Sequence, residues 1–158
     1  MVIPDTRGIG RTPAMKIADI LNRKGHTVYS VLEWQSIREV VEELGSTGTG
    51  ALIVLGSSSE IRGIVSERDI VRAMRGNGAD LMKTPVSEVM TRNVTTVRPD
   101  VTVAEAMAMM TKLRHRHLPV LDNGKLIGVV SIGDLVKHRV AEMEMENVVL
   151  RDAAIARY

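Results

Sequence analysis

The chain has 158 residues, 44% of them apolar and only 2% aromatic, with a formal net charge of +2, so its core is aliphatic and its weak charge does not favour nucleic-acid binding. There is no cysteine, which excludes disulfides, thiolate nucleophiles and zinc–thiolate sites and predicts a reducing, cytoplasmic compartment. No apolar run approaches the roughly 20 residues that cross a bilayer, so we expect no membrane partner.

The N-terminal third predicts an arm and two helices. Residues 1–14 contain prolines and glycines without a period, which is typical of a flexible arm. Apolar residues at helical spacing predict a helix over residues 15–24. A capping box, Ser36 with Glu39, predicts the start of the second helix, and Gly45 is its predicted end.

Two strands and a third helix are predicted next. Residues 50–55 form a short apolar run, which indicates a buried strand, and residues 61–65 follow a turn and indicate its partner. Helical spacing then extends over residues 66–75. With a short extended segment at residues 28–31, the order is strand, helix, strand, strand, helix.

The same order recurs in the second half of the chain. A second capping box, Thr102 with Glu105, lies 66 residues after the first. A fixed offset of this kind indicates a duplicated unit. We expect one repeat over residues 15–78 and another over residues 79–140, followed by a helical tail at residues 141–158. That tail either packs across a subunit boundary or frays.

One short pattern, Gly-x-x-Ser-x-x-Asp, occurs at residues 63–69 and again at residues 128–134. Each copy follows a predicted strand and begins a predicted helix. A Ser-x-x-Asp sequence there is a capping box, which needs no ligand. However, free amides at a helix start also favour an anion, and a short carboxylate suits the hydroxyl pair of a ribose. The two interpretations are compatible.

Two such units in series resemble a tandem pair of CBS domains, the regulatory type of cystathionine β-synthase. The resemblance covers residues 16–140. It implies an α+β fold of two βαββα repeats related by a pseudo-twofold axis, with clefts between them that bind adenosyl compounds. The ligands of that family include AMP, ADP, ATP, S-adenosylmethionine and NAD(H).

The resemblance also implies which residues bind the ligand. The carboxylates for the ribose are Asp69 and Asp134, and the hydroxyls near the phosphate are Ser66 and Ser131. The strand residues around the adenine are Gly50, Ala51 and Ile53 in one repeat and His117, Leu118 and Pro119 in the other. The segments that complete the two pockets are residues 29–31 and, in the second repeat, Thr95, Thr96 and Val97.

Basic residues distinguish the two repeats. The run 114–117 reads Arg-His-Arg-His, which is typical of a solvated helix end. By the resemblance, Arg116 and His117 are candidate phosphate contacts, and Arg68 reaches the shared central space. Arg68 is replaced by Gly133 in the second repeat, so we expect the two clefts to differ in affinity or ligand, with an empty cleft as one outcome.

These observations favour a non-catalytic sensor that binds an adenine nucleotide and signals occupancy to a partner protein or to another subunit of a homodimer. No nucleophile–base pair of familiar spacing is present, so we do not expect an enzyme. A metal site is not expected either, because His115 and His117 lack a third ligand. The alternatives are a nucleic-acid-binding adaptor that uses Arg114 and Arg116, and a structural dimerisation module with unoccupied clefts.

Overall fold

The first repeat contains the five predicted elements and is preceded by a helix. The computed structural model describes residues 13–156, so residues 1–12 of the predicted arm lie outside the described part of the chain. The elements are α1 (Ile17–Lys24), β1 (Ser30–Leu32), α2 (Ile37–Thr47), β2 (Ala51–Leu55), β3 (Ile61–Ser66) and α3 (Glu67–Asn77). Strand β1 pairs with β2 in parallel, and β2 pairs with β3 antiparallel.

The second repeat follows two short 3₁₀ segments, Gly78–Lys83 and Val86–Glu88. Its elements are α4 (Val103–Leu113), β4 (His117–Asp122), β5 (Lys125–Ser131) and α5 (Ile132–Ile155). Strands β4 and β5 form an antiparallel pair. The segment equivalent to β1 makes a single parallel bridge between Val97 and Val120. The predicted α+β fold with two repeats is confirmed.

Helices α2 and α4 begin where their capping boxes predict. Ser36 and Thr102 accept hydrogen bonds from the third residue of each helix, and the glutamate there accepts one in return. The predicted end of α2 at Gly45 is wrong, because the helix continues to Thr47. It ends instead at Gly48, whose φ of 68° is left-handed and whose N–H donates to the carbonyl of Leu44 at 3.0 Å.

The core consists of two aliphatic clusters, and each takes residues from the segment that precedes the other repeat. Ile17, Ile20 and Leu21 of α1 are fully buried among side chains of α4, β4, β5 and α5. In return, Leu81, Val86 and Met90 pack in the core of the first repeat, together with α2, β2 and β3. The two repeats therefore share their hydrophobic interiors.

The glycines of the repeated pattern make this exchange possible. A Cβ atom at Gly63 would lie 2.6 Å from Met90 Sδ and 2.8 Å from the Thr91 carbonyl oxygen. At Gly128 a Cβ would lie 2.6 Å from Leu21 Cδ2. Both glycines therefore admit the segment that crosses from the other repeat, which accounts for their place in the pattern without a ligand.

We expect Gly63→Ala to destabilise the protein by about 1–3 kcal/mol, because the added methyl group overlaps a backbone oxygen that cannot move alone. Gly45→Ala is the matched control. Nothing lies within 4 Å of a Cβ at this exposed position of α2, so the substitution should stabilise by roughly 0.5–1 kcal/mol. Urea unfolding followed by circular dichroism measures both values. Equal values for the two variants would contradict the proposed close approach.

Helix α5 is the longest element, with 24 residues, and it includes most of the predicted tail. Its first three turns pack against the second repeat, and Met15 N–H donates to Glu142 Oε1 at 3.1 Å. From Met143 onward every described residue of α5 is exposed. None of the helices within residues 13–156 combines the length and apolarity needed to cross a membrane.

Candidate functional site

Both Ser-x-x-Asp sequences act as capping boxes. The Ser66 N–H donates to Asp69 Oδ2 at 2.8 Å, and the Asp69 N–H donates to Ser66 Oγ at 3.3 Å. Ser131 and Asp134 make the same two bonds at 2.8 and 3.1 Å. In each case the capping bonds use Oδ2 of the aspartate. Any binding role therefore depends on what surrounds the rest of each carboxylate.

The Asp69 carboxylate faces a cavity of about 350 Å³ between the repeats. Its Oδ1 accepts a hydrogen bond from Thr91 Oγ1 at 3.4 Å, and the guanidinium of Arg72 lies 4.0 Å away. Both contacts are long, and the Arg72 side chain is 71% exposed. Asp69 Oδ1 is thus available to a ligand, and the cavity is within the usual size range of small-molecule sites.

Residues of both repeats line the cavity, so a ligand that fills it contacts both repeats. It brings together seven residues expected from the sequence: Gly50, Ser66, Arg68, Asp69, Thr95, Arg116 and His117. Nine further lining residues were not among the expected nucleotide contacts: Ile64, Glu67, Arg72, Thr91, Asn93, Val94, Leu113, Arg114 and His115. Thr91, Asn93 and Val94 lie just before the predicted segment at Thr95, and no pattern in the sequence distinguishes them.

Positive charge predominates around the cavity. Four arginines line it, at positions 68, 72, 114 and 116, against the two carboxylates of Glu67 and Asp69. Within residues 13–156, Arg68, Arg114 and Arg116 have no carboxylate within 4.0 Å. Several arginines around one cavity favour an anionic ligand, because the planar donor pairs of guanidinium groups match phosphate oxygens.

His117 lies across the boundary between the repeats. A Cβ at Gly50 would lie only 3.3 Å from His117 Nε2, so the imidazole packs against backbone that has no side chain. Burial lowers the pKa of His117, and the neighbouring Lys24 and Arg116 lower it further, while Asp134 opposes them. The ring is therefore neutral at pH 7 and can both donate and accept a hydrogen bond.

The other expected site residues lie outside the lining of this cavity. Ala51, Ile53, Val97, Leu118 and Pro119 are buried, and Thr96 is half-buried next to Thr95. Tyr29 at the start of the 29–31 segment gives its carbonyl to the Ile53 N–H at 3.1 Å. Ser131 and Asp134 lie at the start of α5, where the resemblance places the second cleft.

The Asp134 carboxylate already has a cationic partner. Lys24 Nζ, at the end of α1, donates to Asp134 Oδ2 at 2.7 Å and to the Val129 carbonyl at 2.8 Å. Burial by itself raises the pKa of Asp134, but the hydrogen bonds from Lys24 and Ser131 outweigh it, and the pKa lies below its ordinary value. The carboxylate is therefore charged, and its Oδ2 accepts hydrogen bonds from both Lys24 and the Ser131 N–H.

Lys24 was missed from the sequence because its role depends on where α1 packs. In the first cleft the carbonyl of Ile64, equivalent to that of Val129, accepts instead from the backbone N–H of Thr91 at 2.8 Å. Lys24 occupies this place in the second cleft only because α1 crosses to the second repeat. A lysine in the last turn of a helix otherwise reads as a simple complement to the helix dipole.

Comparisons with known proteins agree with this architecture. A family model described as CBS domain matches residues 17–76 and again residues 86–141. The CBS-domain protein ATU1752 from Agrobacterium tumefaciens has a similar structure, with 40% identity, a TM-score of 0.78, and coverage of 80% of this chain and 94% of that one. An uncharacterised 17.7 kDa protein of Acidianus ambivalens is 38% identical over 78% of this chain and 73% of its own length.

A third similar protein was solved with ligands bound. The CBS domain pair of protein MJ0100, in complex with 5′-methylthioadenosine and S-adenosyl-L-methionine, is 25% identical with a TM-score of 0.73. The similarity covers 82% of this chain and 99% of that one.

Proposed function

Because this chain belongs to the CBS domain family and contains both repeats of a pair, we propose that it is a non-catalytic regulatory module that binds an adenine nucleotide beside Asp69. The observation that carries the proposal is the cavity between the repeats, in which Asp69 lies with three arginines that have no carboxylate within 4.0 Å among residues 13–156. The carboxylate suits ribose hydroxyls, and the arginines suit phosphate. AMP, ADP, ATP and NAD(H) all contain both groups.

The charge of the cavity supports a phosphorylated ligand over the ligands of protein MJ0100. 5′-Methylthioadenosine has no phosphate, and S-adenosylmethionine carries a sulfonium cation. With four arginines against two carboxylates in the cavity, the former offers no anion to the guanidinium groups, and the latter offers a single carboxylate and carries a net positive charge. The cavity should therefore bind AMP, ADP, ATP or NAD(H) more tightly than either ligand of protein MJ0100.

We propose that only one cleft of the pair is open. Asp69 makes only long contacts through Oδ1, whereas Lys24 Nζ lies 2.7 Å from Asp134. A ribose at Asp134 would have to compete for the carboxylate with this ammonium group, which also bonds the Val129 carbonyl at 2.8 Å. Breaking a charge-assisted hydrogen bond costs about 1.5–3 kcal/mol, and the second cleft would therefore bind far more weakly.

Ligand binding would be transmitted through the relative orientation of the repeats. Arg68 and Asp69 belong to the first repeat, while Arg116 and His117 belong to the second, and all four line one cavity. A nucleotide that touches both sides favours the orientation in which both sets of contacts form, and it shifts the population only by that difference in affinity. We propose that a partner protein, or the other subunit of a homodimer, responds to this shift.

Isothermal titration calorimetry tests the ligand class. We titrate the protein separately with AMP, ATP, NADH, 5′-methylthioadenosine and S-adenosylmethionine, and include a single-stranded oligonucleotide as a control. AMP should bind at least about tenfold more tightly than 5′-methylthioadenosine, equivalent to one charge-assisted hydrogen bond. Binding should weaken as KCl is raised. No heat with any nucleotide at millimolar concentration would contradict the function, and tighter binding of 5′-methylthioadenosine would contradict the phosphate preference.

A further inference from the structure

The last half of α5 has no partner within the described chain. Residues 143–155 of this helix are exposed on all sides, including Met143 and Leu150 at 50% and 66% exposure. Isolated helices of about 12–15 residues are marginal in water, and their stability in proteins comes mainly from packing. A projecting helix with large apolar side chains therefore indicates that another surface covers it.

One side of α5 carries residues at alternating spacings of four and three. These are Val136, Val140, Met143, Asn147, Leu150 and Ala154. We call this set the α5 stripe. Such spacing is that of a coiled coil, with β-branched Val140 and polar Asn147 at a positions and Leu150 at a d position. A parallel coiled coil of two helices is favoured by β-branched residues at a, leucine at d and a single asparagine at a.

The α5 stripe is accessible along its whole length. At 100° per residue it lies roughly 100° around the helix from Leu135, the fully buried residue that fastens α5 to the second repeat. Val136 and Val140, which lie beside the folded body, are still 43% and 49% exposed. A second helix can therefore approach the α5 stripe without displacing the packed side of α5.

The charges that flank the α5 stripe identify its partner. In a parallel pair, each g residue faces the e residue five positions later on the other helix. Arg139 then faces the partner's Glu144, and Glu146 faces the partner's Arg151, so the two pairs in which both residues are charged are of opposite charge. If the same residues paired in an antiparallel coil, the pair would be centred near residue 145. Glu144 would then lie close to Glu144 of the other copy, and Glu146 close to its Glu146, so that like charges would meet.

We propose that the α5 stripe is an interface with a second copy of this chain, formed as a parallel two-stranded coiled coil. Asn147 would meet its own copy in the centre of the coil and fix the register. The inference goes beyond nucleotide binding, because it concerns a helix that does not line the cavity and needs no ligand to pair.

Single cysteine variants test the geometry, since the chain has no cysteine of its own. We introduce Asn147→Cys, or Val148→Cys as the matched control at the adjacent b position, which lies outside the α5 stripe. Each full-length protein is incubated in a glutathione redox buffer without nucleotide, and disulfide-linked dimers are quantified on a non-reducing gel. In a parallel coil, equivalent a residues lie within disulfide range, so Asn147→Cys should cross-link at least about tenfold faster.

Charge variants in the Asn147→Cys background test the pairing. Glu146→Arg should slow cross-linking, because it faces the partner's Arg151, and adding Arg151→Glu should restore it. Leu150→Glu should also slow it, whereas Val148→Glu should not. Equal cross-linking of the two cysteine variants, no cross-linking of either, or failure of the charge reversal to restore it would overturn the proposal. Nucleotide binding does not enter any of these measurements.

Discussion

Asp69→Asn should lower the affinity for AMP by about 10–100-fold, whereas Asp134→Asn should leave it nearly unchanged. The loss corresponds to about 1.5–3 kcal/mol for hydrogen bonds to a charged group. Asp69 lines the open cavity, whereas Asp134 does not line it and has Lys24 Nζ 2.7 Å from its Oδ2. Calorimetry at matched protein concentration measures both affinities.

The comparison of these two variants is informative because both aspartates belong to a capping box at the start of a helix. Each substitution weakens one capping box, at a cost of roughly 1 kcal/mol, and Asp134→Asn also loses its ion pair. The melting temperature without ligand should therefore fall at least as far for Asp134→Asn as for Asp69→Asn. A loss of affinity confined to Asp69→Asn cannot then be attributed to stability. Equal losses in both variants would show that the clefts are equivalent.

Lys24→Met extends the same prediction to the second cleft. The wild-type protein should bind one AMP per chain, and removal of the ammonium group should expose a second site that depends on Asp134. Lys125→Met, at an exposed position in the β4–β5 hairpin, removes the same charge away from Asp134 and should keep a single site. Two sites in the wild-type protein, or one site in Lys24→Met, would show that Lys24 does not close the second cleft.

Ile20→Ala should destabilise the protein by about 2–5 kcal/mol, the range for removing a large aliphatic side chain from a closed core. Ile20 is fully buried in the cluster of the second repeat, although it precedes the first repeat in the chain. Val41→Ala is the control, because Val41 is 39% exposed on α2, and its cost should be about 0.5 kcal/mol. Urea unfolding measures both free energies.

The same experiment shows whether the shared cores unfold together. If α1 supports the second repeat, Ile20→Ala should shift one transition that includes all of the helical signal. A separate early transition for the first repeat, with the second unaffected, would contradict the packing of α1 described above.

The order of the elements could be predicted from the sequence because each depends on local signals. The capping boxes at Ser36 and Thr102 need only four residues, and the strand pairs need only their apolar runs. Gly45 misled the prediction because a glycine within an exposed helical turn resembles a helix end until the left-handed residue, Gly48, is known. One repeat also helped to interpret the other, since each pattern occurs twice.

The candidate site was predictable only in part, for a physical reason. Ser66 and Asp69 form a local pattern, and the basic run before β4 is visible in the sequence. Thr91 and Lys24, in contrast, become relevant only through long-range contacts that bring each crossing segment to the opposite repeat. Sequence spacing carries no information on such contacts, so the difference between the two clefts could be expected but its cause could not.

The crossing of α1 and of the Leu81–Met90 segment has an evolutionary consequence. A recombination event that cut the gene between the repeats would leave two incomplete interiors, each lacking its borrowed aliphatic side chains. Neither fragment could be inherited as an independent folding unit at its original stability. Duplication, transfer to another gene and loss should therefore act on the pair as a whole.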